Sequence, residues 1–345
     1  MIWIRADGNS EIGIGHVMRC LTVAEELQAL GREVCFVLAD ENMVGILQDR
    51  GVDCLVLHTD YTCMESELNV LPDLVRKHCP ELMLIDSYYV TEEYFRQVSR
   101  LVKTAYMDDM GICSDFVELL INYNIYASRE MYTIKEGSEV RFLLGSAYAP
   151  LRKEFRNNEN VKSETVKNVF ISTGGSDKYN LAGTILECVL KDERLKELTY
   201  HVICGKMNIH AEVLKKMEEQ CSNVCIHQNV TNMAEIMQKC ELAISAAGST
   251  IYELAALSIP IITFSFAENQ KTAVKTFESK NAAVSVGHYA DSDKKDFQMR
   301  ITDAIKDLCK DGNKRSEIVA NARYMVDGSG AIRIAQALAE CCDTV

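Results

Sequence analysis

The sequence has no excess of basic charge, no apolar run long enough to cross a membrane uninterrupted, and no C-x-x-C pair or histidine pair at metal-binding spacing. Its 37 Lys and Arg stand against 50 Asp and Glu, a formal charge of −13, which excludes general attraction to nucleic-acid phosphates or anionic lipid as its business. Any phosphate it binds must meet a local site. The most apolar stretch, residues 242–267, is broken by Glu253 and Pro260 and contains Gly248, Ser249 and Thr250. It reads as strand, turn, helix and strand, so no membrane insertion is expected. The 14 cysteines are scattered and include no C-x-x-C pair, the pattern of small buried hydrophobes in a reduced, cytoplasmic protein. Residues 1–6 read as a strand without the basic and apolar regions of an export signal. A Walker loop is missing, because no Gly-Lys-Ser/Thr follows the glycines of the first loop, and no short-period repeat is present.

What is present is an ordinary globular composition over 345 residues, with 48% hydrophobic and 25% charged, enough for two domains. Short β-branched runs alternate with helical patterns, the mark of βαβ units and a parallel sheet covered on both faces. Strands are expected near 1–6, 33–39, 54–58, 82–86, 104–107, 119–122 and 141–144, and again near 169–172, 201–204, 224–226, 242–245 and 261–264. Helical patterns follow from about residue 294. The polar stretch 152–167, with Asn157, Asn158, Glu159 and Asn160, predicts a linker between an α/β domain over 1–155 and a second over 165–345. Two such domains are expected to face each other across a cleft at the carboxyl ends of their strands.

The first strand runs into Asp7-Gly8-Asn9-Ser10-Glu11-Ile12-Gly13-Ile14-Gly15-His16, and a helix follows over about 17–30. Strand, glycine loop and helix form an anion-site geometry, but a dinucleotide fingerprint would need a third glycine where Met18 stands. The glycines, Gly15 among them, let the backbone pass close to a ligand and deliver His16 to the first turn of the helix. The positive end of the helix disfavours imidazolium there, so His16 is a candidate general base; the competing reading is a histidine that caps the helix or bonds a loop carbonyl. Asp108 and Asp109 adjoin, but neighbours on a strand point to opposite faces, so no metal site is expected.

In the second half, Thr173-Gly174-Gly175-Ser176-Asp177 ends one strand and bares backbone amides that suit a phosphate. Ala246-Ala247-Gly248-Ser249-Thr250 ends another, with Ser249 or Thr250 expected to cap the next helix. Glu253, one turn on, is placed to accept hydrogen bonds from ribose hydroxyls or, equally, to be a capping or solvated glutamate. Ala267-Glu268-Asn269-Gln270 is a third polar loop at the same sheet edge. Together the three suggest a nucleotide-diphosphate pocket.

The ordered set I-R-A-D…I-G-I-G-H-V-M-R-C, L-I-D-S-Y-Y at 84–89, Y-M-D-D at 106–109, L-L-G-S-A-Y-A-P-L-R-K-E-F at 143–155, S-T-G-G-S-D at 172–177 and S-A-A-G-S-T-I-Y-E at 245–253 resembles the PseG family. These are UDP-2,4-diacetamido-2,4,6-trideoxy-β-L-altropyranose hydrolases of pseudaminic acid biosynthesis, related to SpsG-type spore-coat polysaccharide proteins. The resemblance extends to about Gln270. It implies a GT-B-like α/β fold of two doubly wound, Rossmann-like domains, a UDP-linked diamino sugar as substrate, and no cofactor. It implies His16 as the catalytic base, Tyr88 (or its neighbour Tyr89) and Asn269 near the sugar, and Gly174, Gly175, Ser176, Ser249, Thr250 and Glu253 at UDP. Gly15, Gly248 and Gln270 complete the expected binding set. On this reading water attacks the anomeric carbon opposite UDP and inverts it. The alternatives are a GT-B glycosyltransferase, a UDP-sugar 2-epimerase and a non-catalytic nucleotide-sugar-binding protein.

Overall fold

A computed structural model describes residues 1–156, 164–291 and 293–343. The chain divides into two compact units, one formed by Met1–Arg152 together with Ser329–Val345, the other by Lys153–Gly328.

The first unit contains β1 (Ile2–Ala6), α1 (Gly15–Ala29), β2 (Val34–Leu38), α2 (Val44–Asp49), β3 (Asp53–Val56), α3 (Leu71–His78), β4 (Leu82–Asp86), α4 (Glu92–Val98), β5 (Lys103–Met107), β6 (Leu119–Asn122) and β7 (Arg141–Leu144). The strands make one parallel sheet in the order β3-β2-β1-β4-β5-β6-β7. Every residue of β1, β2 and β4 is buried, as expected for strands covered on both faces. The two-residue period of β1 sorts its side chains. Ile2, Ile4 and Ala6 enter the core with Val17, Leu21, Ala24 and Leu27 of α1, whereas Trp3 joins Tyr94 and Phe95 of α4 on the other face.

Arg5 lies on the Trp3 face, fully buried, so its charge must be met by protein groups. Its Nε donates to both oxygens of Glu67 at 2.9 Å, and it pairs with Asp7; the Tyr94 hydroxyl also donates to Glu67, at 2.9 Å. Asp7 in turn accepts from the Ala39 amide at 2.8 Å, which ties the carboxyl end of β1 to that of β2.

The second unit contains β8 (Asn168–Ser172), α5 (Leu181–Val189), β9 (Thr199–Cys204), α6 (Ala211–Gln220), β10 (Val224–Gln228), α7 (Met233–Met237), β11 (Leu242–Ala246), α8 (Thr250–Ala256), β12 (Ile261–Ser265), α9 (Glu268–Ser279), β13 (Val284–His288), α10 (Lys294–Lys310) and α11 (Gly312–Met325). Its parallel sheet runs β10-β9-β8-β11-β12-β13. Both sheets therefore reverse their winding at one place, between β1 and β4 in the first and between β8 and β11 in the second. At such a switch point the two flanking loops turn to opposite faces and leave a crevice.

Two expectations need correction. A second domain over 165–345 does not describe the chain, because the last helix, α12 (Gly330–Asp343), packs on the first unit. Ile334, Ala335, Ala337 and Leu338 complete the core against α1, and Gly330 sits so close to the chain before Leu151 that a Cβ there would stand 2.2 Å from the Ala149 carbonyl oxygen. The first unit ends at Arg152, not 155, and of the proposed linker residues 157–163 lie outside the described residues. The cysteines are all free, but only Cys20, Cys35, Cys204 and Cys240 are fully buried, so most of them line the margins of the cores. Among the described residues, no helix is long and apolar enough to cross a membrane.

Candidate functional site

The loop leaving β1 is closed on itself. The Asn9 side-chain oxygen accepts from the amides of Glu11 and Ile12 at 2.8 and 3.0 Å, and the Asn9 amide donates to the Gly13 carbonyl at 3.1 Å. Gly13 takes φ +75°, which a side chain would oppose. This turn sets the start of α1 at Gly15, two residues before the expected position, so that His16 is the second helical residue.

His16 is only 6% exposed, and its Nδ1 lies 2.6 Å from Oδ1 of Asp86, the last residue of β4. The pair thus spans the switch point of the first sheet. Arg19, one turn along α1, donates from Nε to the second Asp86 oxygen at 2.6 Å and from Nη2 to the first at 2.5 Å. Its Nη1 reaches Asp109 at 2.5 Å and the Tyr123 hydroxyl at 2.9 Å. Burial alone would raise the Asp86 carboxyl, but the charge and hydrogen bonds of Arg19, aided by His16, outweigh it and hold the group well below the usual carboxylate range. Asp86 is therefore ionised and can only accept. An unprotonated Nδ1 at 2.6 Å would set lone pair against lone pair, so Nδ1 carries a hydrogen toward Asp86, although Arg19 Nη2 also lies 3.2 Å from it, and in the neutral ring the lone pair is on Nε2. Cys20 donates its thiol to Asp86 at 3.3 Å, and burial followed by that carboxylate pushes the thiol far up, which leaves it unreactive.

Of the two tyrosines, Tyr88 contacts the imidazole. The rings stand edge to face, 4.4 Å between centroids at 82°, with Tyr88 46% exposed. Tyr89 instead packs against Tyr61 at 5.7 Å, and both line the small recess that also holds Asp7, Ile12 and His16. Asp108 and Asp109 diverge: Asp108 organises its own loop by accepting from the amides of Met110, Gly111 and Ile112, whereas Asp109 turns to Arg19.

In the second unit the three loops leave the neighbouring strands β8, β11 and β12, with the switch point between the first two. Gly174, Gly175 and Ser176 are exposed, and Gly174 takes φ +90°. The following Asp177 is buried and accepts from the amides of Leu181 and Ala182 at 2.7 and 3.1 Å, anchoring the loop to α5. The loop after β9 presses on it from the side: a Cβ on Gly205 would stand 2.2 Å from the Gly175 carbonyl oxygen. Gly248 and Ser249 are exposed, with Thr250 and Glu253 partly so. Ser249 occupies the cap position of α8, but its side chain makes no capping hydrogen bond, contrary to expectation: its backbone is already helical, with φ −59° and ψ −27°, whereas capping side chains act from an extended residue. Asn269 and Gln270 belong to the first turn of α9 rather than to a loop; Gln270 accepts from the Phe266 amide at 3.0 Å and Asn269 is exposed.

Residues 168–336 match the glycosyltransferase family 28 C-terminal domain. The whole chain superposes on MurG of Acinetobacter baumannii with a TM-score of 0.71 at 13% identity, over 98% of this chain and 99% of that one. The fold is GT-B. In sequence the chain is 25% identical to an uncharacterized protein of Methanocaldococcus jannaschii, over 92% of this chain and 69% of that protein. It is 24% identical to the spore coat polysaccharide biosynthesis protein SpsG of Bacillus subtilis over 96% of both chains. It is also 24% identical to the UDP-2,4-diacetamido-2,4,6-trideoxy-beta-L-altropyranose hydrolase of Campylobacter jejuni, over 82% of this chain and 98% of that one. The resemblance to PseG- and SpsG-type proteins thus holds along most of this GT-B chain, and that to SpsG, at 96% coverage, runs past Gln270.

Two residues of the cluster, Asp86 and Arg19, escape sequence reasoning. Arg19 is three residues after His16 and hence on the same helix face, which was a legible signal. Asp86 ends an apolar strand at the sheet edge where ligands bind, but nothing local joins it to a histidine 70 residues away.

Proposed function

We propose that the protein is a UDP-sugar hydrolase, releasing UDP and a 2,4-diacetamido-2,4,6-trideoxyhexose on the cytoplasmic route to a pseudaminic-acid-type nonulosonate. His16 is the base: Nε2 takes a proton from water as that water attacks the anomeric carbon, and the carbon–oxygen bond to UDP breaks with inversion. The observation that carries this reading is the Asp86-held imidazole, whose Nδ1 is committed and whose Nε2 is left to accept a proton. The name of the Campylobacter jejuni relative supports the substrate class. UDP is a good leaving group once amides absorb its charge, so a general acid is not needed. Gly174, Gly175, Ser176, Gly248, Ser249, Thr250 and Glu253 form its binding set, with Tyr88 and Asn269 nearer the sugar and Gly15 and Gln270 completing the set.

Hydrolysis of the UDP-linked diamino sugar in ¹⁸O-water should place label in the free sugar and none in UDP, with the opposite anomer formed first by NMR. Label in UDP would rule out attack at carbon. The same spectra taken with added alcohol acceptors distinguish the transferase that other GT-B proteins suggest, since a transferase would make glycoside in place of free sugar.

Gly248 offers a cleaner probe of the nucleotide loop. A Cβ there would meet no protein atom within 4 Å, and its φ lies outside the left-handed region, so the fold does not require glycine. Gly248→Ala is expected to melt at the native temperature or slightly above it. Its methyl would crowd the diphosphate, and UDP affinity measured by calorimetry should fall about tenfold, or about 1.4 kcal/mol.

A further inference from the structure

Asp86 is one carboxylate serving two cationic or potentially cationic partners, His16 and Arg19, and Arg19 also bridges to a second carboxylate, Asp109. If only His16 and these carboxylates were present, two negative charges would draw a proton onto the imidazole and abolish the base. Arg19 supplies one positive charge, so with neutral His16 the cluster sums to −1 rather than −2. We propose that Arg19 and Asp86 form a positioning pair for His16: Asp86 fixes the ring as the Nδ1–H form, and Arg19, by spending the Asp86 charge, keeps Nε2 deprotonated at working pH. This rests on His16 being the base of the proposed hydrolysis.

The other groups around the ring do not take over this task. Asp7, from the loop after β1, is committed to Arg5 and the Ala39 amide. Cys20 and the Tyr88 phenol are both pushed up by burial and remain neutral. Tyr123 is a hydrogen-bond acceptor for Arg19, its own phenol raised to about 12, chiefly by burial. What remains to set proton affinity is the triad of Asp86, Arg19 and Asp109, with the amino end of α1 opposing imidazolium from behind.

The two partners should therefore shift the acid limb of kcat/KM in opposite directions. Arg19→Gln removes the compensating charge, so the Asp86–His16 pair takes up its proton at higher pH, whichever of the two holds it, and the acid limb moves up. Asp86→Asn removes the attraction and the tautomer lock, so the limb moves down and kcat at its optimum falls roughly ten- to hundredfold, as for other groups that orient an imidazole. Arg19→Lys keeps the charge and should return the limb close to its native position. The independent readout is the ¹⁵N spectrum of histidine-labelled protein without substrate, with the His16 signals assigned by their loss in His16→Gln. The native ring should show Nδ1–H with a free Nε2, and Asp86→Asn a mixture of tautomers. A native Nε2–H ring, or limbs that stay put or move together in Arg19→Gln and Asp86→Asn, would overturn the proposal; a mere loss of folding lowers turnover without opposed shifts. Should His16→Ala retain turnover while the spectra behave as expected, the positioning pair stands and only the hydrolytic role of His16 falls.

Discussion

Replacement of His16 by asparagine is expected to lower turnover of the UDP-linked diamino sugar by roughly 10²–10⁴-fold, a loss of about 2.7–5.5 kcal/mol in transition-state stabilisation. Asparagine is the informative substitution, because its amide can still donate to Asp86 and so leaves the carboxylate with a partner, yet it has no lone pair basic enough to take a proton from water. His16→Ala should lose as much turnover and some stability as well, since it leaves the Asp86 oxygen short of one donor. UDP affinity should hardly change in either variant, because His16 belongs to the first unit and the residues proposed to hold UDP belong to the second. The expected pattern is a fall in kcat and kcat/KM together, the mark of an interaction made only in the transition state. Steady-state assays paired with UDP titration calorimetry decide it: near-native turnover in the asparagine variant would remove His16 from the mechanism.

Glu67→Ala should be the most damaging single change to stability away from that cluster. Arg5 is fully buried and its fork is filled by Glu67, with Asp7 as the second counter-charge. Removing one partner of a buried pair typically costs 3–5 kcal/mol because a charge is left in low dielectric. Here Asp7 remains, which argues for the lower end, about 3 kcal/mol. That corresponds to a melting midpoint roughly 6–12 °C lower for a unit of this size. The Tyr94 hydroxyl also loses its acceptor, so Glu67→Gln, which keeps an acceptor in place, should recover part of the loss. Denaturant unfolding of the two variants measures the difference. If Glu67→Ala melted with the native protein, Arg5 would have to be solvated in a way its complete burial does not allow.

Much of the architecture was legible along the chain, for a simple reason. Strands such as Leu82–Asp86 and Leu119–Asn122 are apolar up to a polar last residue, and a parallel strand buried on both faces appears in sequence as such an apolar run. Gly13 and Gly174, at φ +75° and +90°, were readable because glycine there is chosen for backbone reasons that are local. Strand β13 was missed: Val284–His288 is short, only partly buried, and interrupted by Gly287 at φ +85°, so its apolar signal is thin. The cap expected at Ser249 failed because capping depends on a backbone angle that composition does not report.

The sequence by itself determined the class of fold, the ends of most strands and the identity of the histidine on the glycine loop, because each depends on neighbours within a turn or two of the chain. Only the tertiary structure decided which acid meets that histidine, that Arg19 sits between Asp86 and Asp109, that Tyr88 rather than Tyr89 touches the ring, and that α12 returns to the first core instead of closing the second. An amphipathic pattern says that a helix face must be buried but not against what, and a charge in the chain does not name its partner. Those choices are made by packing between segments tens to hundreds of residues apart, where shape and the cost of burying an unpaired charge select among partners that look alike in one dimension.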